Sequence, residues 1–226
     1  MKKIIFVLGL VMIILLLESC IGVPTVAPAF YEKTNSHQII AVLPFEMIFT
    51  GKKSKKLTFE QIQKIEEVES ISFQKSLYDQ LMRESDYSRH PIRVDIQPIY
   101  ATNRILDDNR ISIRDSWYMD PVELARILRV DAVVRTQIEK KRYMSNGASL
   151  GIEIGSAILS ALLDDSSAFS IILPTSGIKA SCFLINGNDG TNLWSVKIAD
   201  ETDWRMPANA IIENINHYIS EKFPYR

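Results

Sequence analysis

Ile4 to Leu17 is a run of 14 residues without charge, preceded by Met1-Lys2-Lys3 and closed by Glu18-Ser19-Cys20. At roughly 1.5 Å per residue such a run reaches about 21 Å, short of the about 30 Å hydrocarbon core that a spanning helix must cross. Its length and its basic start match the apolar region of a secretory signal. Export constrains the fold, because the chain then matures in an oxidising compartment with only two cysteines, Cys20 and Cys182. If the first is spent elsewhere, no internal disulfide exists and stability must come from packing. A plain signal peptide or an uncleaved anchor, followed by an incidental cysteine, is the alternative.

Ser19 directly before Cys20, with Leu17 two positions further back, resembles a bacterial lipobox. The resemblance implies cleavage before Cys20 and a diacylglycerol on its sulfur. Residues 1–19 are then the signal peptide, and removal of two lysines and one glutamate takes the net charge from −1 to −2. A body so close to neutral lacks the strongly basic face that nucleic-acid binding requires. With 46% hydrophobic residues the remainder can build one sizeable core. Residues 20–37, with prolines at 24 and 28 and no clear period, are expected to be a flexible tether. Neither a short acidic run nor an aspartate follows the cysteine. The expected location is therefore the periplasmic face of the outer membrane, with acyl chains as the membrane contact.

The body, residues 38–226, reads as a single α/β domain, a mixed sheet of about five strands packed by helices. "QIIAVLPFE", residues 38–46, fits a buried strand ended by Pro44. "GKKSKK" at 51–56 is a basic loop, suited to solvent or to an anionic surface. Thr58 and Gln61 form a capping box for a long helix to about Ser85. Its inward stripe is expected to be Phe59, Ile62, Ile65, Val68, Phe73, Leu77 and Leu81. "IRVDIQPI", 92–99, reads as the second strand, followed by short helical turns up to Arg114. Asp120-Pro121-Val122-Glu123 starts a helix that feeds straight into a strand at "VDAVVRTQIEKKRY". Two more strands, about 177–186 and 191–199, flank a turn at 187–190, and 207–223 reads as a last helix. The insert at about 146–175 is nearly uncharged, and Leu150, Ile152, Ile154, Ile158, Leu159 and Leu162 are candidate oligomer or membrane contacts. A short helix buried in the domain's own core is the alternative.

"IIAVLPF" at 39–45, "PVELARILRVDAVVRTQIE" at 121–139 and "NGNDGTNLWSVKI" at 186–198 resemble Gram-negative lipoproteins built on the domain of the TolB N-terminal region, CsgG, LpoB and PelC. This implies a mixed sheet with helices and a scaffolding role, either in ring-forming secretion components or in activators that touch a synthase.

Catalytic signatures are missing from the sequence. His37, His90 and His217 lack metal-ligand spacing, and there is no Gly-x-Ser-x-Gly elbow, P-loop or dinucleotide fingerprint. Cys182, between Ser181 and Phe183, is expected to be a buried inert thiol. No cofactor and no metal is expected. The expected role is a lipid-anchored scaffold or oligomeric component in outer-membrane secretion or assembly, working by contact. The alternatives are a monomeric regulator of a cell-wall or polysaccharide enzyme, for which Trp117, Tyr118 and Trp204 are candidate partner contacts, and a hydrolase.

Overall fold

The computed structural model describes residues 22–51, 58–142, 177–200 and 208–226. In chain order these form β1 (Thr25–Val26), α1 (Phe30–Thr34), β2 (Ile39–Val42), β3 (Glu46–Gly51), α2 (Phe59–Tyr87), β4 (Asp95–Ile96), α3 (Ile99–Asp108), α4 (Ile113–Tyr118), α5 (Pro121–Leu128), β5 (Ala132–Arg142), β6 (Gly177–Asn186), β7 (Asn192–Asp200) and α6 (Ala208–Glu221). The described strands make one mixed sheet of seven, ordered β1-β7-β6-β5-β2-β4, with β3 also paired to β5. The single α/β domain is as expected, and the two strands beyond five have identifiable origins. One is β1, inside the stretch expected to be a tether. The other is β3, which continues past Pro44.

The interruption at Pro44 sets which side chains enter the core. Val42 lies opposite Val134 and Glu46 opposite Gln137, so four steps along the first strand face three along β5. Leu43 still donates its N–H to the Val134 carbonyl at 3.0 Å, but Pro44 has no N–H to continue the ladder. The extra residue acts as a bulge and reverses the alternation. Ile40 and Val42 therefore share one face with Phe45 and Met47, while Ala41 and Leu43 point to the other.

The main core lies between the sheet and the pair α2 and α6. Ile62, Ile65, Phe73, Leu77 and Leu81 of α2 are buried as the helical period predicts. Two members of the expected stripe differ, since Phe59 is 64% exposed and Val68 only half-buried. Glu69, Ser70 and Gln74 occupy the buried strip instead. Gln74 donates to the Val42 carbonyl at 2.8 Å, next to the break in the strand, and exchanges hydrogen bonds with Asn103. On the opposite face, α3 and α5 cover only the β2 end, through Leu106, Leu124 and Leu128 packed on Leu43 and Val133.

The caps follow the sequence. Thr58 and Gln61 close the capping box of α2, and Asp120 accepts from Val122 N–H with Pro121 leading α5. A second capping box, Ser112 with Asp115, begins α4. The expected strand 92–99 shortens to Asp95–Ile96, because Pro98 already serves as the N-cap of α3. Gly187 permits the hairpin turn to press on the α5–β5 connection: a Cβ there would stand 2.7 Å from that of Ala125 and 2.8 Å from the Asp131 carbonyl.

Residues 22–37, expected to be a flexible tether, are folded onto the body. β1 pairs antiparallel with β7, Thr25 opposite Ser195, and Ala27 donates to the Leu193 carbonyl at 2.9 Å. Phe30 is buried against Tyr225, and Lys33 forms an ion pair with Asp189 and donates to Thr191 at 2.8 Å. Two strand residues with exposed side chains leave no alternation in the sequence, which is why this segment read as structureless.

Candidate functional site

Strand register gathers several chain features at one end of the sheet. Gly51 of β3 lies opposite Arg142 of β5, Lys141 opposite Gly177 of β6, and Ile178 opposite Asp200 of β7. β1 runs antiparallel to β7, so its upstream neighbour Gly22 sits at the same end. A Cβ on Gly22 would overlap the Lys197 carbonyl, and the Gly22 carbonyl accepts from the Tyr218 hydroxyl at 3.1 Å. Glycine is thus required where the chain enters the body, two residues after Cys20.

Cys20, the insert with Leu150, Ile152, Ile154, Ile158, Leu159 and Leu162, the lysines of 52–56 and Trp204 all lie outside the described residues. Their attachment points are Gly22, Arg142 with Gly177, Gly51, and Asp200 with Ala208. Gly51, Arg142, Gly177 and Asp200 are strand residues of this one end, and Gly22 lies beside them.

Among the described residues no helix covers the sheet face opposite α2 and α6 toward that end. It presents Glu139 and Lys141 from β5, Lys179 and Ser181 from β6, and Lys197 and Ala199 from β7. Lys141, Lys179, Lys197 and Ala199 are exposed. Glu139 lies opposite Lys179, so lysines of three adjacent strands share this part of the face with a carboxylate. Charge alternation along each strand was visible in the sequence. Bringing the three together needed the antiparallel register.

The aromatic pair on α4 separates. Trp117 is 4% exposed, with the Arg114 guanidinium 5.0 Å from its ring, so it belongs to the core and is not an exposed partner contact. Tyr118 is 73% exposed. Arg114 ties α4 to α2 through Glu66, and Arg135 of β5 donates to the Met119 carbonyl at 2.6 Å and to that of Ser116 at 3.3 Å. A cation there satisfies the free carbonyls at the C-terminal end of α4. Burial holds the Arg135 guanidinium below its ordinary value, with Glu46 and Asp120 acting the other way.

Residues with reactive chemistry are set apart from this end or sealed. Burial pushes the Cys182 thiol up to about 12, and Thr136 donates to its sulfur at 3.2 Å. The thiol is buried as expected. His37 is buried with Nδ1 2.6 Å from the Tyr225 hydroxyl, His90 lies in the turn after α2, and His217 on α6 is 3.5 Å from Glu221. Among the described residues no group of three or more His, Cys, Asp and Glu side chains is placed to hold a metal, and no helix is long and apolar enough to cross a membrane.

No protein-family model matches the chain. No curated protein matches it either. Solved structures do. The PelC dodecamer from Paraburkholderia phytofirmans is similar at 13% identity over 88% of this chain and 94% of that one, with a TM-score of 0.42. Lipoprotein GNA1162 from Neisseria meningitidis is similar at 11% identity over 82% and 96%, TM-score 0.45. The C-terminal domain of LpoB from Salmonella enterica is similar at 9% identity over 77% and 94%, TM-score 0.36. Two of these, PelC and LpoB, are among the proteins whose motifs the sequence resembles. At this level of identity and overlap, no residue role passes from them to this chain.

Proposed function

We propose that the chain is a lipid-anchored envelope protein of the periplasmic face of the outer membrane, acting as a scaffold or oligomeric component in secretion or assembly. The carrying observation is the entry of the chain at Gly22, seated on β7 two residues after Cys20, behind an apolar run of secretory length. An acylated Cys20 would hold the body on the bilayer with almost no slack. Each buried methylene contributes about 0.8 kcal/mol, so several chains make the attachment effectively permanent. No reaction is assigned, and the work is done by surfaces. The test is intact-mass measurement of the protein from its native membranes, combined with crosslinking in the envelope and sizing of detergent extracts. The expected result is a chain beginning at Cys20 with fatty chains on its sulfur and captured in assemblies. A retained leader with an unmodified thiol overturns the anchoring, and a monomer without crosslinked partners at every concentration overturns the scaffold.

Tyr118 favours a second reading, a regulator that binds one cell-wall or polysaccharide enzyme. It is exposed on a short helix whose ends are fixed by Ser112, Asp115 and Arg135. A rigid exposed aromatic is an effective anchor, since little conformational freedom is lost on binding. On this reading Tyr118→Ala loses the crosslinked partner while the particle size stays that of a monomer. Retention of the partner removes it.

A further inference from the structure

We infer that residues 22–36 are a releasable strap, which undocks as a unit and lengthens the connection between anchor and body while the sheet and its core stay folded. This rests on the acylation of Cys20 proposed above. The strap is fastened shallowly. Between Gly22 and Ser36 only Phe30 is buried, whereas Val23, Val26 and Tyr31 stay exposed although the segment is docked. Its fastenings are the two pairs of β1 with β7, the Ala27 N–H on the Leu193 carbonyl at 2.9 Å, the Tyr218 hydroxyl on the Gly22 carbonyl at 3.1 Å, the Phe30 ring 5.7 Å from that of Tyr225, and Lys33 on Asp189 and Thr191. The body does not lean on them: β7 is paired to β6 from Asn192 to Asp200, and Leu193, Trp194 and Val196 are buried in the main core. A segment with so few buried apolar contacts opens at a fraction of the free energy of global unfolding. Opening stops before β2, because His37 is buried with Nδ1 2.6 Å from the Tyr225 hydroxyl and the N–H groups of Gln38 and Ile39 donate to Asp131 at 2.7 and 2.9 Å. The connection therefore has two lengths. Docked, Cys20 stands at most about 7 Å from Gly22; released, the 17 residues from Cys20 to His37 reach at most about 60 Å. The docked strap keeps the body at the bilayer, and anything that binds the body away from the bilayer draws the equilibrium toward the released form.

The test uses the full, acylated protein in phosphatidylcholine bilayers, with amide hydrogen exchange reporting the strap and neutron reflectometry the gap between bilayer and body. A lock is supplied by the pair Thr25→Cys and Ser195→Cys: the two positions lie opposite each other, and directly opposed antiparallel residues stand about 4.5–5.5 Å apart, within reach of a disulfide. The buried Cys182 does not compete. Expected in wild type is exchange of the strap amides roughly 100-fold faster than those of β6 and β7. Phe30→Ala and the milder Lys33→Ala speed it further and widen the gap while β6 and β7 keep their rates; Lys33→Ala covers the case in which losing Phe30 unfolds the body. Oxidising the lock slows strap exchange and narrows the gap, and reductant restores both. Strap amides that exchange at the rate of β6 and β7, or a gap that is the same with the lock closed and open, overturn the inference. Intact mass of the same sample reports whether Cys20 is acylated; an unmodified thiol defeats the anchoring, while the exchange pattern still decides whether the strap opens.

Discussion

Lys140 and Glu69 form an ion pair at 3.0 Å, with side chains 1% and 2% exposed, beneath α2 on the core face of β5. The Lys140 ammonium also lies 5.3 Å from the Phe73 ring and 5.8 Å from that of Phe49, so aromatic faces share the work of solvating it. A pair this deep gives little net stability, because desolvation of both ions offsets their attraction. Removing one partner is a different matter, since it strands the other charge. Glu69→Ala is expected to cost about 3–5 kcal/mol, whereas the double replacement Glu69→Leu with Lys140→Met should come out near neutral or more stable. Urea unfolding of the three proteins measures both effects, and a double variant as weak as the single one would show that the pair itself contributes the stability. Periodicity could not find this site. A glutamate in an amphipathic helix reads as surface until a lysine from a distant strand is brought beneath it, and so the helical period points to Val68 where Glu69 and Ser70 are the buried residues. Trp117 and Tyr118 show the same limit, because neighbours on a helix face about 100° apart and only the packing decides which one turns inward.

Elements whose signals are local were legible in the sequence: the capping box of Thr58 and Gln61, the Asp120 cap followed by Pro121, the period of α2, and the turn between β6 and β7. Elements that depend on a distant partner were not. β1 exists only because β7 offers an edge to it, and β3 only because β5 runs on past the Pro44 break. The break also couples residue count to burial. Deleting Pro44 would remove the bulge, restore plain alternation and turn Phe45, Met47 and Phe49 away from α2. The core would lose its Phe45–Phe73 stack, whose ring centroids are 5.6 Å apart. Deletion is expected to abolish cooperative thermal unfolding, while Pro44→Ala, which keeps the count, should cost no more than about 1–2 kcal/mol. Near-ultraviolet circular dichroism during heating distinguishes them, and a deletion variant that still melts cooperatively would refute the phase argument.

At the scale of the whole molecule the segment before β2 is joined to the segment after α6, and the joint is expected to respond to pH. His37, where the N-terminal segment enters β2, meets the hydroxyl of Tyr225, one residue from the C-terminus. Arg93 N–H donates to the Tyr225 carbonyl at 2.9 Å, and Arg226 reaches Glu84 at 2.9 Å. Burial holds the His37 imidazole below its ordinary value of 6.5, with the Asp131 carboxylate and the Asn186 side chain opposing that shift more weakly. Burial likewise raises the Tyr225 hydroxyl, which stays protonated and able to donate to a neutral imidazole nitrogen. The unfolded chain therefore takes up a proton that the folded one refuses, and stability rises with pH across this window. It is fully present above about pH 6.5 and declines as pH falls toward the lowered folded value. His37→Gln keeps a polar group at the joint but cannot titrate, so its stability should be lower than wild type at neutral pH and flatter between about pH 7 and pH 5. Urea midpoints across that range measure the slope. An equal slope in the variant would move the pH sensitivity to other groups and leave the joint between His37 and Tyr225 as packing alone.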